Sequence, residues 1–567
     1  MTRRRFALLP VAVMAAAASL APAARAAAPE KPRLVVLISI DQFRGDYLTR
    51  FPHLFLPASG KDGVGGFRYL MDKGAYYPNA HYTHFPLLTG VGHAVLSTGG
   101  APYTNGIIGN SWYVPAQDGN PGHGMYCVQD ADSPIVGPPG ASGAASPKNL
   151  RSSTIADELK IATNGKAKVM TVSFKDRAAI LLAGRLSDTT IWFDNNTGRW
   201  VSSQFYCPDG RLPNWVVEAN NKAQADKYFN ATWEPLFPEE IQNNAWTSKP
   251  ELFSANNNIR KQFPHRYTGG LTAPGKGFYG DLWSSPFASE MVLQTALEGV
   301  KALNIGQDEV PDYVGINLAA NDYVGHAFGP NSPEAFDLTL RTDRLLADFF
   351  RALDKAVPGG LRNVTIALSG DHGVAPIPEA MEAAGFHAGR VPNEKISNAA
   401  DAALDAAFGP EDWIESYPAP TIYLRRSAIA NRKADQREVE RIAADAIRKV
   451  DGVYMVVTRD QIQDGRTPDT DVARRVVTAF HPNVSGDLLV VLENLYLFGG
   501  GSAGTTHGSP WPYDTHLPVA VAGFGVKPGR YPRSASPQEI APTLASLVGV
   551  DAPSGATAPV LVEALAP

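Results

Sequence analysis

Leu34-Val35-Val36-Leu37-Ile38-Ser39-Ile40 runs without a break into Asp41. A short run rich in Leu, Val and Ile on both faces reads as a strand buried in a parallel sheet covered by helices. Three more runs share the pattern. Val169–Phe174 leads into Lys175-Asp176-Arg177, Tyr313–Leu318 leads toward Asn321-Asp322, and Val364–Gly370 leads into Asp371-His372. Helical periodicity lies between and beside them. Over residues 333–357, Phe336, Leu340, Leu346, Phe349, Phe350 and Leu353 fall at helical spacing, with Ser332 placed to cap and Pro333 suited to the first turn. The pattern predicts an α/β fold with a central, mostly parallel sheet sandwiched by helices. Ligands of such open sheets sit beyond the carboxyl ends of the strands. Four strands ending in Asp, Lys/Arg, Asp and Asp-His are therefore expected to converge on one site.

The chain of 567 residues is 44% apolar, enough for a large core and too much for a disordered chain. Its 52 glycines and 45 prolines imply many turns. Two stretches read as inserted cap regions on a single catalytic domain spanning 27–567. Residues 215–283 are rich in Asn, Pro and Trp without clear periodicity. Residues 377–500 carry a helical stretch, 434–450, between extended runs at 421–424 and 488–492. The formal net charge is −5. An acidic chain does not suit binding to a nucleic-acid backbone, so no nucleic-acid partner is expected, and a monomer is favoured.

Residues 1–26 begin with Arg3, Arg4 and Arg5, continue through an apolar stretch from Phe6 to Leu20, and end in Ala24-Arg25-Ala26. This reads as a secretory signal peptide with an A-x-A cleavage site, a simple membrane anchor being the alternative. The apolar stretch is about 15 residues, short of the ~20 a membrane span needs. Thr2-Arg3-Arg4-Arg5-Phe6 also fits a twin-arginine signal, with a Sec signal as the alternative. The expected destination is periplasmic or extracellular, with no membrane span in the mature chain. Such a compartment favours a bond between Cys127 and Cys207, two separate buried thiols being the alternative.

Asp322 and His326 are four apart, so on a helical turn both side chains face one point. Asp371-His372 is flanked by Gly370 and Gly373, which would let the backbone bend until adjacent side chains meet one ion. Asp41 and His507, the latter in Thr505-Thr506-His507-Gly508, complete a set of carboxylates and imidazoles without thiolate. That set suits Zn²⁺ or a similar divalent ion, and it holds too many ligands for one tetrahedral site. Taken singly, each is more simply a hydrogen-bonded structural residue. Thr89, in Phe85-Pro86-Leu87-Leu88-Thr89-Gly90-Val91-Gly92-His93, stands where an apolar run meets a helix. There it is either an N-cap or a hydroxyl nucleophile beside an anion-binding helix start. Metal coordination would be needed to activate it.

Together, Asp41, Thr89-Gly90-Val91-Gly92-His93, Asn110, Lys175-Asp176-Arg177, Asp322-x-x-x-His326, Asp371-His372-Gly373 and Thr506-His507-Gly508 resemble the alkaline phosphatase superfamily. Within it they resemble the secreted, threonine-nucleophile, phosphate-irrepressible alkaline phosphatases. The likeness runs in order from about residue 33 to 560. It implies an alkaline-phosphatase-like fold and two Zn²⁺ ions. Asp41, Thr89, Asp371 and His372 match the ligands of one ion, and Asp322, His326 and His507 those of the other. His516 is the alternative to His507, whose Thr-His-Gly setting fits the ligand motif better. Thr89 matches the residue that becomes phosphorylated. Asn110, Lys175 and Arg177 match the groups that bind the phosphoryl oxygens.

The resemblance implies a phosphomonoesterase acting on small-molecule phosphate esters. A phosphodiesterase or nucleotide pyrophosphatase of the same superfamily is the alternative. Two cations at Lys175 and Arg177, on one side of an extended segment, favour the dianionic monoester. A catalytically dead phosphate-binding protein is disfavoured, because nucleophile and ligands are all present.

Overall fold

The computed structural model describes residues 31–59, 63–116, 122–243, 250–253 and 262–566. The expected signal peptide, 1–26, lies outside them. Among the described residues an eleven-stranded sheet forms the centre. Its middle consists of β1 (Leu34–Ile40), β2 (Val169–Ser173), β3 (Thr189–Asp194), β4 (Asp312–Leu318) and β5 (Val364–Ser369), in spatial order β5-β1-β4-β2-β3 and all parallel. Antiparallel strands flank this block. β6 (His516–Gly523) pairs with β5, and Arg199–Ser203 pairs with β3. Every residue of β1, β2, β4 and β5 is buried, which explains their unbroken apolar character.

Register sets where these strands release their chains. Ser39 of β1 is opposite both Asn317 of β4 and Ser369 of β5. Asp41 and Asp371, each two residues further on, therefore leave the sheet at the same level.

Helices cover both faces, with separate apolar clusters above and below the sheet. The long helix Pro333–Ala356 begins as its sequence predicts: Ser332 accepts from the Ala335 N–H at 3.1 Å and Pro333 occupies the first turn. No helix among the described residues is long and apolar enough to cross a membrane.

The two stretches read as caps differ in construction. Trp233, Tyr267, Phe278 and Leu282 from 215–283 are buried in the same cluster as the central strands. Residues 377–500 carry their own sheet, in the order Ile414–Ser416, Thr421–Leu424, Leu488–Leu492, Val453–Thr458. Helices Asn393–Phe408 and Gln436–Ile447 pack on it around a separate core that includes Ile396, Leu404, Val439 and Trp413.

The expected Cys127–Cys207 bond is not formed; both thiols are buried and free. Cys127 faces the helix that starts at Thr89, its Sγ only 2.9 Å from where a Cβ on Gly90 would stand. Cys207 lies beyond the strand Arg199–Ser203, its N–H bonded to Ser203 O in a turn. Burial pushes the Cys127 thiol up to about 12, which leaves it protonated and unreactive.

Candidate active site

The shared level of the strand ends gathers the first cluster. His372 Nε2 stands 3.5 Å from Asp41 Oδ1, 3.3 Å from Asp371 Oδ2 and 3.4 Å from Thr89 Oγ1. Among the described residues Asp41 Oδ1 and Asp371 Oδ2 are buried yet accept no hydrogen bond, with His93 Nδ1 also standing 3.3 Å from Asp371 Oδ2. An orphaned buried carboxylate oxygen is costly. Two of them facing one imidazole nitrogen suit a cation of the kind carboxylate and imidazole ligate. The backbone bends at Asp371 as expected, and Gly370 and Gly373 allow it by close approach, neither having a positive φ. A Cβ on Gly373 would stand 2.1 Å from Tyr513 O.

The second cluster stands on α1 (Ala320–Phe328), where Asp322 and His326 are one turn apart. Asp322 Oδ1 lies 3.1 Å from His326 Nε2 and 3.7 Å from His507 Nε2. All three site imidazoles are oriented alike. The Nδ1 atoms of His326, His507 and His372 lie 2.7, 2.7 and 3.0 Å from the carbonyls of Thr505, Leu87 and Gly373. Donation to a carbonyl places the proton on Nδ1 and leaves each Nε2 lone pair toward the carboxylates, the orientation a metal ligand needs. Asp322/His326/His507 and Asp41/Asp322/His372 each bring their ligand atoms close enough to hold one ion. His516 is elsewhere: its Nε2 lies 2.7 Å from Pro78 O and its ring stacks on His81.

Thr89 is the first residue of the helix Thr89–Thr98, and Leu88 is the N-cap. The cap makes no side-chain hydrogen bond, so the reading of Thr89 as a capping hydroxyl does not hold. Its Oγ1 instead lies 3.4 Å from each of Lys175 Nζ, Arg177 Nη2 and His372 Nε2. The Gly90 N–H, expected to face an anion, donates to Asn110 Oδ1 at 2.7 Å. That bond uses the Asn110 carbonyl oxygen and leaves its NH₂ group as the donor. A Cβ on Gly92 would lie 2.2 Å from Asp371 O, so only glycine lets this helix approach the strand end.

Lys175 and Arg177 reach one hydroxyl by a route other than the expected extended segment. Lys175 is the extended N-cap of the helix Asp176–Ala183, and Arg177 lies in that helix's first turn. Lys175 Nζ bridges Asp41 Oδ2 at 2.8 Å and Asp322 Oδ2 at 2.6 Å, tying the clusters together. Burial opposes the Lys175 charge, but these carboxylates raise it above its ordinary range. Burial likewise works against the Asp322 carboxylate, yet Lys175 and His326 hold it well below the usual carboxyl range. Burial lowers His372 to about 3, keeping the ring neutral.

Three supporting residues were given no role by the sequence reading, although His93 stands in the motif that begins at Thr89. His93 Nδ1 lies 2.8 Å from Thr89 O and 3.3 Å from Asp371 Oδ2. Its position four residues after Thr89 was the available signal, since helical spacing puts both on one face. Asn317 donates to His93 Nε2 at 2.9 Å. Gln42 adopts φ 60, uncommon for a side chain of its size, and touches both clusters. Its N–H donates to Asp371 Oδ1 and its amide to Asp322 Oδ1. Nothing in the sequence marks that backbone conformation.

Residues 35–516 match the family type I phosphodiesterase / nucleotide pyrophosphatase. The chain is 34% identical over 537 residues to alkaline phosphatase PafA of Elizabethkingia meningoseptica, covering 94% of this chain and 95% of that one. It is 33% identical over 541 residues to a Myroides odoratus protein named calcium-transporting ATPase, again covering 94% and 95%. A crystal structure of wild-type alkaline phosphatase PafA has the same fold, with a TM-score of 0.83 at 32% identity over 94% of this chain and 99% of that one.

Proposed function

Because the chain belongs to the type I phosphodiesterase / nucleotide pyrophosphatase family, within the alkaline phosphatase superfamily, we propose that it is an exported alkaline phosphatase using a phosphothreonine intermediate. It hydrolyses phosphate monoesters to phosphate and alcohol. Export rests on the character of residues 1–26.

Asp41, Thr89, Asp371 and His372 would hold one zinc ion and Asp322, His326 and His507 a second, and the bound pair would supply positive charge for the Thr89 alkoxide and the leaving oxygen. Thr89 Oγ1 attacks phosphorus in line with the ester bond. The Thr89 O–P bond forms as the bond to the alcohol oxygen breaks, and the departing alkoxide takes a proton from water and leaves as the alcohol. Water then attacks the phosphothreonine, releasing phosphate and restoring the hydroxyl. Lys175 and Arg177 bind non-bridging oxygens, and the Asn110 amide donates to another. Little covalent chemistry is asked of the protein, so placement and charge dominate.

One observation carries this reading: a buried threonine hydroxyl that caps nothing, 3.4 Å from each of Lys175, Arg177 and His372. Two cations at the nucleophile favour a monoester dianion over a diester, which carries one charge and a second organic group. The test is hydrolysis of matched aryl phosphate monoester and diester by purified, zinc-loaded protein. Dominant monoester turnover is expected. Dominant diester turnover would move the chain to the phosphodiesterase alternative, and turnover of neither would make it a binding protein.

A further inference from the structure

An apolar cavity of about 210 Å³ opens beside His507. One wall comes from the segment entering the nucleophile helix, with Phe85 and Leu88. The other comes from the inserted region 377–500, with Pro420, Leu492 and Phe498, and the segment from Thr506 to Pro510 completes the lining. Both walls belong to one compact unit, Lys31–Pro567. Leu88 directly precedes Thr89, and the His507 ring stacks on His372 with centroids 3.4 Å apart. The cavity therefore adjoins the candidate active site, His507 lining the one and belonging to the other.

In-line displacement puts the departing oxygen opposite Thr89 Oγ1. Under the function proposed above, that is the side of Asp322, His326 and His507. We infer that the cavity beside His507 is a leaving-group subsite that takes the apolar, aryl-sized part of a phosphate monoester. Size and chemistry agree. An apolar cavity of roughly 150 Å³ accommodates benzene, so this one holds a benzyl group. Its lining is mostly apolar, so a ring or branched alkyl chain finds contact throughout, while a sugar or polyol finds side-chain hydroxyls only at Tyr496, Thr506 and Ser509, and burying its other hydroxyls unpaired is unfavourable.

The test compares benzyl phosphate with methyl phosphate, whose leaving alcohols have nearly equal acidity, so that chemistry is matched and bulk differs. The zinc-loaded protein should show kcat/KM about tenfold or more higher for benzyl phosphate, the size expected from burying one ring. Ala419, which also lines the cavity, is replaced in Ala419→Phe to fill it, and the benzyl-to-methyl ratio should fall to about one. Calorimetry reads the same contrast without turnover: 2-phenylethylphosphonate should bind about tenfold tighter than ethylphosphonate, and Ala419→Phe should remove the difference. Equal values for the two esters in wild type, or a preference that survives Ala419→Phe, would overturn the subsite alone. Failure to hydrolyse either ester, or any aryl monoester, would instead overturn the phosphatase reading.

Discussion

The Gln42 side-chain amide donates to Asp322 Oδ1 at 2.7 Å, while the Gln42 backbone N–H donates to Asp371 Oδ1 at 2.9 Å. One residue thereby spans the two clusters. It does so from φ 60, which costs a residue with a Cβ of order 1 kcal/mol. Glycine would avoid that strain but would lose the side-chain bond to Asp322. Gln42→Gly should leave folding stability within about 1 kcal/mol and weaken divalent-ion binding about 10–100-fold, as loss of an outer-shell partner does. Zinc titration of chelator-stripped protein reads the affinity, and denaturant unfolding reads the stability. Unchanged affinity would reduce Gln42 to a packing residue.

Thr89→Ala should lose covalent phosphorylation and lower kcat by about a thousandfold or more, since the hydroxyl is the attacking group. Thr89→Ser should keep both. Intact-mass measurement after an acid quench detects the phosphoprotein. A wild-type rate in Thr89→Ala would remove the nucleophile from the mechanism.

Lys175→Ala combined with Arg177→Ala removes both cations near Thr89 Oγ1. The monoester rate should fall by a factor at least about ten larger than the diester rate, because the lost charges face the dianion. Steady-state kinetics on the matched aryl pair decides this. Equal losses would show that the two residues serve folding or metal placement alone. Lys175 also neutralises Asp41 and Asp322, so each variant is first checked for zinc content.

His84 is fully buried, neither ring nitrogen has a hydrogen-bond partner among the described residues, and burial lowers its pKa to about 3. The unfolded chain protonates this ring below about 6.5 and the native state does not. Its contribution is therefore present above pH 6.5 and is lost as pH falls from 6.5 toward 3. His84→Phe should flatten the decline in unfolding free energy between pH 6.5 and 4.5, by up to about 1.4 kcal/mol per pH unit. Urea unfolding of both proteins at pH 7 and pH 5 measures the difference. Identical pH slopes would mean that His84 gains a proton in the native state.

The strands, their order of charged ends and the capped helix at 333 were legible because both signals are local. A strand buried on two faces is apolar nearly throughout, and Ser332 followed by Pro333 is a favoured helix start. Composition and spacing likewise exposed the carboxylates and imidazoles, and the four-residue interval of Asp322 and His326 foretold their meeting. What no linear reading could supply were the distances between segments. The pairing of Ser39 with Ser369 brings Asp41 level with Asp371, and it depends on register across more than 300 residues. The left-handed turn at Gln42, the helical position of Arg177 and the separation of Cys127 from Cys207 also arise from packing. Local propensity is determined by a few neighbouring residues; which oxygen, nitrogen or sulfur stands beside which is decided only when distant segments share one core.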